Sequence, residues 1–572
     1  MTGVQTCALP ILHMPLVGEK LVTFLSDGAF EEQRGSDWVP RWWRPEDSGT
    51  VVPIMIFNGR RIDQRATLSQ GKGLEWFKKH LTIYSFDPIE FDGTDPAAFA
   101  CMILEGERRL KDRAEVAQRE QNYPVIMPYG IAVAKKGAGF YGAGTNDAHG
   151  LPLGKNPRFD IQAMEHFNEY AHKMFVPLEK IKKASGIIKN HVVTNRVLER
   201  DNLIANREVY IQNFPKLPYK EVDGNTFDTA HYTLSCPMAG IDQTFLALVE
   251  ANADLRPRVG NPDEMRSNHL NSTLDLLKHR VTEAESGVAE SINGAAITAL
   301  NEEAVICACL GNKAGINLAV TYEAFGPKML GALRQEIIWS DHLASRGRKA
   351  GWISVPVILT SNTYENGKNE RSHQDPALCE ALLNEPTDVS RVMFPADFNC
   401  AVASLEACYR THGKIFSYVI PKSDSIPDLF TASMAAELVD NGGITFNPSK
   451  MANAEVILTA IGAFQMIETL KAAERLEYRG IKVAINYLLE PGRFRQPRGS
   501  RELLHCAPIE LRRTLYPEHI TTRVFVCHTH PEVMSGILRP LDTAANTVFM
   551  GYTNHGGTLD TEGMLFVNRL SW

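Results

Sequence analysis

The sequence predicts an α/β protein made of three consecutive domains, each built on a parallel sheet. Three observations carry this expectation. Strand and helix signals alternate through residues 12–150, the alternation resumes across 231–430, and residues 455–489 spell one complete strand–helix–strand unit. In the first block the strand candidates are 20–25, 51–57, 82–86 and 124–133, with helical stretches at 68–81 and 96–120. Parallel strands need crossover helices between them, and this order supplies them. Residues 155–230 are polar and largely helical, with turn signals at Pro215, Pro218 and Asp223-Gly224, so they are expected to connect the first block to the second. In the second block, strands are expected at 351–360, 389–394 and 415–420, each bounded by Pro, Asn or Asp. The third block opens on Glu455-Val-Ile-Leu-Thr-Ala-Ile-Gly-Ala, a buried strand, followed by an amphipathic helix over 464–478 and a strand over 481–489. It lacks a Gly-x-Gly-x-x-Gly turn, so no dinucleotide is assigned to it.

The chain has 572 residues, 44% apolar and 22% charged, as expected of a globular protein with large cores. A net charge of −7 argues against a nucleic-acid or anionic-membrane surface. No apolar stretch approaches the roughly 20 residues that cross a bilayer. The ten cysteines are scattered, with only Cys307 and Cys309 close together, a pattern suited to a reducing cytoplasm. Residues 1–11 have no charged n-region and read as an artefactual leader, so they and Cys7 are left out of the fold.

The first chemical signal is a pair of strand ends. The apolar run from Leu21 to Leu25 ends in Ser26-Asp27-Gly28, and the run from Val51 to Phe57 ends in Asn58-Gly59-Arg60. Together they deliver a carboxylate and a carboxamide oxygen to what could be one point. Such hard-oxygen ligation suits Mg²⁺, which takes a few protein oxygens plus the phosphates of a bound cofactor.

This pair resembles the diphosphate-and-metal motif of thiamine diphosphate enzymes, with Ser26 in place of the usual Gly. Further motifs follow in order: Phe86-Asp-Pro-Ile-Glu-Phe-Asp-Gly-Thr-Asp-Pro, Asn146-Asp-Ala-His149-Gly-Leu-Pro-Leu, and Gly260-Asn-Pro-Asp-Glu-Met-Arg-Ser267-Asn268-His269-Leu. Then come Leu300-Asn-Glu302-Glu, Tyr322-Glu-Ala-Phe325 and Ser372-His373-Gln374-Asp375-Pro376. From about residue 18 onward, this collinear series resembles the phosphoketolases of the transketolase superfamily. The resemblance implies three domains of transketolase-like architecture, the first incomplete: a thiamine diphosphate-binding domain over 12–205 with a helical linker from about 155, a pyrimidine-binding domain over 206–430, and a C-terminal domain over 431–572. It also implies an obligate homodimer with active sites at the subunit interface.

The roles follow residue by residue from the same resemblance. Asp27, Asn58 and the main-chain carbonyl of Arg60 would hold Mg²⁺, and Gly28 would lie beside the cofactor. Glu302 would hydrogen-bond the aminopyrimidine ring and activate the cofactor, with Glu303 the neighbouring alternative. Tyr322, with Phe325, would pack on the pyrimidine. His149 and His373 are the candidate proton carriers, since imidazole titrates near neutrality. Ser267, His269, Lys368, Asn369 and Lys422 would surround a phosphate, either the substrate's or the attacking one. Phosphoketolases usually carry Arg at the position of His269 and His at that of Lys368. A planar guanidinium grips phosphate with two parallel bonds and imidazole cannot, so the phosphate end is rebuilt here. Cys527-His528-Thr-His530 suggests a metal, but no third and fourth ligand can be named, and a turn explains the spacing.

The implied activity is cleavage of xylulose 5-phosphate or fructose 6-phosphate, with inorganic phosphate, to acetyl phosphate and an aldose phosphate. Two other outcomes remain open: a ketol transferase or epimerase using the same cofactor, and a non-catalytic binding or assembly homologue. The resemblance further implies that the chain as written lacks early strands and is inactive and aggregation-prone.

Overall fold

A computed structural model describes residues 16–30, 39–195, 207–223 and 233–571, without the side chains of Ala29, Lys368 and 192–195. The chain divides into two compact units, one formed by Met1–Glu208 with Val281–Glu283, the other by Val209–Arg280 with Ala284–Trp572. Residues 1–11, Cys7 among them, lie outside the described residues.

The first unit contains a four-stranded parallel sheet in the order Lys20–Ser26, Thr50–Phe57, Met127–Val133, Phe86–Asp92. Its long helix, Pro96–Glu120, starts as the sequence dictates: Asp95 accepts the Ala97 N–H at 2.9 Å, and Pro96 supplies a first position that needs no N–H. Two further helices, Ile161–Lys173 and Leu178–Asn195, occupy the expected connecting stretch.

One strand prediction is wrong. Residues 82–86 were expected to be extended, but the helix Gly73–Ile83 takes the first two of them, a turn follows at Tyr84 and Ser85, and the strand begins only at Phe86. Phe77 and Leu81, four apart and both buried, hold the last turns on the helix, and the Thr82 hydroxyl donates to the Lys78 carbonyl. The β-branched Thr82 and Ile83 misled the periodicity. The helix also starts later than residue 68, after a separate 3₁₀ turn at Thr67–Ser69.

The second unit contains two large sheets. The eight-stranded sheet centres on the parallel strands Arg256–Gly260, Gly315–Tyr322, Val355–Thr360 and Ile415–Val419, with Ser390–Met393 at one edge. Val355–Thr360 is buried along its whole length, as expected where both faces are covered. The five-stranded sheet takes the order Gly443–Thr445, Val483–Leu488, Val456–Ile461, Thr522–Cys527, Thr547–Met550, and only the first strand is antiparallel. Helix Ala463–Tyr478 crosses between Val456–Ile461 and Val483–Leu488, completing the expected unit. One hydrophobic core reaches from Leu318 and Ile358 of the larger sheet to Leu458 and Ile485 of the smaller.

Two central strands escape sequence reading. Arg256–Gly260 carries two arginines and a proline, and Gly315–Tyr322 carries Asn317. Asn317 is buried because it is satisfied internally, exchanging hydrogen bonds with the Asn312 side chain and carbonyl at 2.9 and 3.1 Å.

Candidate active site

In the first unit, Lys20–Ser26 and Thr50–Phe57 are adjacent and parallel, with Ser26 level with Ile56, so their carboxyl ends open at the same place. Asp27 follows the first strand directly and is fully buried. Its Oδ1 accepts the Gly28 N–H at 2.9 Å, and its Oδ2 accepts the Gly59 N–H at 2.6 Å. Gly59 has φ +79°, a conformation that a side chain would strain, so a glycine here lets the second loop present its amide. Asn58 Oδ1 accepts the Arg60 N–H at 3.0 Å, and the Arg60 guanidinium donates to Asn146 Oδ1 at 2.6 Å. The neighbouring strand Met127–Val133 leads to Lys136, whose ammonium donates to the Arg61 carbonyl and lies 3.2 Å from His149 Nδ1.

Burial raises the affinity of the Asp27 carboxyl for its proton, against the opposing pull of the Gly59, Gly28 and Asn58 amides. Burial likewise lowers the Lys136 ammonium; the Asp27 charge opposes that shift and Arg60 adds to it. The structure therefore brings Asp27, Gly28, Asn58, Arg60 and His149 to one end of one sheet. Lys136 is the member that sequence reading missed; it lies ten residues before the motif that drew attention to His149.

In the second unit a second group gathers at the carboxyl ends of the larger sheet. Glu302 is the first residue of helix Glu302–Gly311, and Asn301 caps that helix by accepting the Ala304 N–H at 3.0 Å. Glu302 is 6% exposed, and its Oε1 accepts from the Lys328 ammonium at 2.9 Å. Lys328 also lies 5.0 Å from the centre of the Phe325 ring. Phe325 stacks against Tyr322 with centroids 6.1 Å apart and meets His373 edge-on at 5.1 Å. The Ser372 hydroxyl lies 2.9 Å from His373 Nδ1.

Tyr322 joins this group to the expected anion-binding residues. Its hydroxyl is 3.1 Å from Ser267 Oγ, and the Lys422 ammonium donates to Ser267 Oγ at 2.9 Å while lying 4.5 Å from the Tyr322 ring centre. The loop carrying Lys422 is fixed by Glu365, which accepts the Lys422 and Ser423 N–H groups at 3.0 and 2.6 Å. Asp263, quoted within a motif but given no role by the sequence, accepts the Tyr322 N–H at 3.0 Å and the Thr321 hydroxyl at 3.1 Å. Burial raises its carboxyl affinity for a proton and the Glu302 charge adds to that, with Lys422 opposing.

Two of the expected anion contacts, His269 and Asn369, have other partners. The His269 ring lies against Cys236 and Asp424. The Asn369 amide donates to Asn366 at 2.7 Å. The Lys368 side chain lies outside the described residues. His528 and His530 each face a carboxylate: His528 Nε2 is 2.8 Å from Glu323 Oε1, and His530 Nδ1 is 2.7 Å from Glu380 Oε1. The Cys-His-x-His spacing thus serves imidazole–carboxylate contacts. Glu323 could have been found from Tyr322-Glu-Ala-Phe325, where a charge sits between two ring positions.

The fold is that of the transketolases. A transketolase from Leishmania mexicana superposes with a TM-score of 0.65 over 100% of this chain and 78% of its own, at 15% sequence identity, and one from Pichia stipitis with 0.66 over 99% and 77%, at 14%. Within that class the chain resembles the phosphoketolases: residues 240–411 match the family model of D-xylulose 5-phosphate/D-fructose 6-phosphate phosphoketolase. A probable phosphoketolase of Schizosaccharomyces pombe is 25% identical over 76% of this chain and 53% of its own length. The xylulose-5-phosphate phosphoketolase of Lactiplantibacillus pentosus is 23% identical over 76% and 57%. This chain spans a little over half the length of these two relatives.

Proposed function

We propose that this chain is a thiamine diphosphate-dependent, phosphoketolase-like lyase that uses Mg²⁺, acts on xylulose 5-phosphate or fructose 6-phosphate, and works as a cytoplasmic homodimer. The observation that carries this reading is the second group: Ser267, Glu302, Tyr322, Phe325, Lys328 and His373 all fall inside the segment that matches the family, and they touch one another in the chain Lys328–Glu302, Lys328–Phe325, Phe325–His373, Phe325–Tyr322 and Tyr322–Ser267. The nine described cysteines are all free thiols, in keeping with a reducing compartment, and among the described residues no helix is long and apolar enough to cross a membrane.

The residues fit the cofactor. Asp27 and Asn58 offer hard oxygens, and among the described residues the Asp27 carboxylate is hydrogen-bonded by amides, with no cationic side chain in hydrogen-bond contact. Glu302 keeps Oε2 without a protein partner among the described residues, so it can accept from a heterocycle while Lys328 holds Oε1. Tyr322 and Phe325 supply ring faces. When bound, thiamine diphosphate supplies the carbanion chemistry of carbon–carbon cleavage. With Nδ1 of His373 engaged by Ser372, its Nε2 is the nitrogen that takes up or returns a proton. Lys422 and Ser267 attract and position an anionic group.

Ketol transfer or epimerisation is the second reading. It is favoured by His269, which faces Cys236 and Asp424 and is not hydrogen-bonded to the Lys422 ammonium. The test is product analysis with xylulose 5-phosphate, thiamine diphosphate and Mg²⁺. Acetyl phosphate that appears only with inorganic phosphate supports the lyase, and a new ketose phosphate supports the second reading. Calorimetry on the same sample separates a chain that binds cofactor without turnover, as expected if segments of its relatives are needed, from a binding or assembly homologue that gives no heat.

A further inference from the structure

Behind the Lys422 loop lies a cluster with the composition of a metal site. The Cys236 sulfur, a His269 ring nitrogen and an Asp424 carboxylate oxygen all lie within 4.8 Å of one another. They come from three separate segments: Cys236 precedes helix Pro237–Ala251, His269 precedes helix Asn271–Leu277, and Asp424 follows strand Ile415–Val419. No hydrogen bond or ion pair joins the three among the described residues, so their donor atoms are grouped without satisfying one another. We propose that Cys236, His269 and Asp424 form a binding site for a borderline divalent cation of the Zn²⁺ type, with a fourth position open to water or an anion.

The donor set selects the ion. Thiolate and imidazole favour Zn²⁺, whereas Mg²⁺ prefers oxygen, so this site is chemically distinct from the Asp27–Asn58 end. Zn²⁺ bonds of about 2.0–2.3 Å place tetrahedral donors about 3.5 Å apart, so closure on the ion requires a movement of about 1 Å. Asp424 is exposed and can make it. Cys236 is buried and points its sulfur at the Lys422 carbonyl, 3.0 Å away. Burial pushes that thiol up to about 12, with the Asp424 charge adding to the effect. Binding therefore releases the thiol proton to solvent as the Zn–S bond forms, and affinity falls as the pH is lowered. The ion would also tie the Lys422 loop to the two helices and fix the backbone beneath the Lys422 ammonium.

The test is a Zn²⁺ titration of the reduced, chelator-stripped chain against a chromophoric competitor, with X-ray absorption on the loaded protein. D424N removes an exposed ligand. H269N removes the imidazole and leaves a residue that tolerates φ +58° at this position. Circular dichroism establishes that both variants are folded. The proposal expects one Zn²⁺ with sulfur in its coordination shell, weakened at least about tenfold by each substitution and not displaced by millimolar Mg²⁺. Unchanged affinity in either variant, or a bound ion without sulfur, overturns the three-residue site.

Discussion

Asp27 and Glu323 occupy equivalent places in the two units, each the first residue after a parallel strand and each fully buried, yet they are satisfied in opposite ways. Asp27 is held by the backbone amides of Gly28 and Gly59. Glu323 is held by two side chains and one backbone amide: one oxygen takes the Thr363 N–H at 2.7 Å and the Thr363 hydroxyl at 2.9 Å, and the other lies 2.8 Å from the His528 imidazole. Amides orient a carboxylate without contributing a formal charge, and among the described residues no cationic side chain hydrogen-bonds Asp27, so its negative face remains available to a cation. Glu323 has its partner already and belongs to the framework. Glu302 stands between them, with one oxygen paired and one open.

The largest effect should separate Glu302 from Glu323. If Glu302 acts on a cofactor, E302Q lowers cofactor-dependent turnover by about 10²–10⁴-fold. Its unfolding free energy should change by less than about 1 kcal/mol, because Lys328 is 61% exposed and such pairs contribute little. Loss of folding in E302Q, seen by urea titration, would place Glu302 with Glu323 and break the comparison.

E323A should do the reverse. Removing one partner of a buried pair costs about 3–5 kcal/mol, because His528 is left enclosed without its acceptor. Replacing both residues, as in E323L/H528L, should recover most of that loss in the same urea titration. A double variant as unstable as the single one would mean that Thr363, not His528, is the partner that matters.

D27A should fall below E323A. It leaves the Gly28 and Gly59 amides without an acceptor, at a cost of about 1–3 kcal/mol, and D27N, which keeps one acceptor oxygen, should cost less. Both should abolish Mg²⁺-dependent heat in calorimetry. Retention of that heat in D27N would show that the carboxylate's open face is not what receives the ion.

The difference between these carboxylates also explains what the sequence could reveal. Asp27 and Asn58 were legible because strand ends are marked by apolar runs, and adjacent parallel strands turn sequence position into spatial proximity. Tyr322, Phe325 and His373 were legible as motif positions, and their ring contacts follow from where the strand ends and the loop returns. The partners were not legible. Lys328 and Lys136 are chosen by tertiary approach, and nothing in local spacing distinguishes them from surface charges; Asp263 and His528 stand in noticed motifs, but their partners Tyr322 and Glu323 are set by the fold. The fold failed to be legible for the same reason at Arg256–Gly260 and Gly315–Tyr322, where buried polar side chains break the apolar pattern. At Thr82 and Ile83, β-branched residues looked extended while buried Phe77 and Leu81 kept the helix.

The smallest effect concerns a third kind of carboxylate, one held by a cation at the edge of solvent. Glu502 is 6% exposed and accepts from the Arg498 guanidinium at 2.5 Å, the Thr387 N–H at 3.0 Å and the Arg498 N–H at 2.7 Å. Burial alone would raise its affinity for a proton, but Arg498 and the two amides override it and hold the group down to about 2. In the unfolded chain the same carboxyl titrates near 4.3. The folded state therefore binds the proton less readily, and the stabilisation is complete above about pH 4.3 and is lost as the pH falls toward 2. Arg498 is 42% exposed, so solvent screening limits the contribution to about 1 kcal/mol. E502Q should therefore lower the urea midpoint at neutral pH and flatten its decline between about pH 5 and pH 3. High salt should reduce the wild-type value toward that of the variant. The amide-held Asp27 has no counterpart to this salt response, so a chain whose acid and salt sensitivity survives E502Q would have its cation-held carboxylates elsewhere, with Glu490 and its Arg391 partner the next pair to remove.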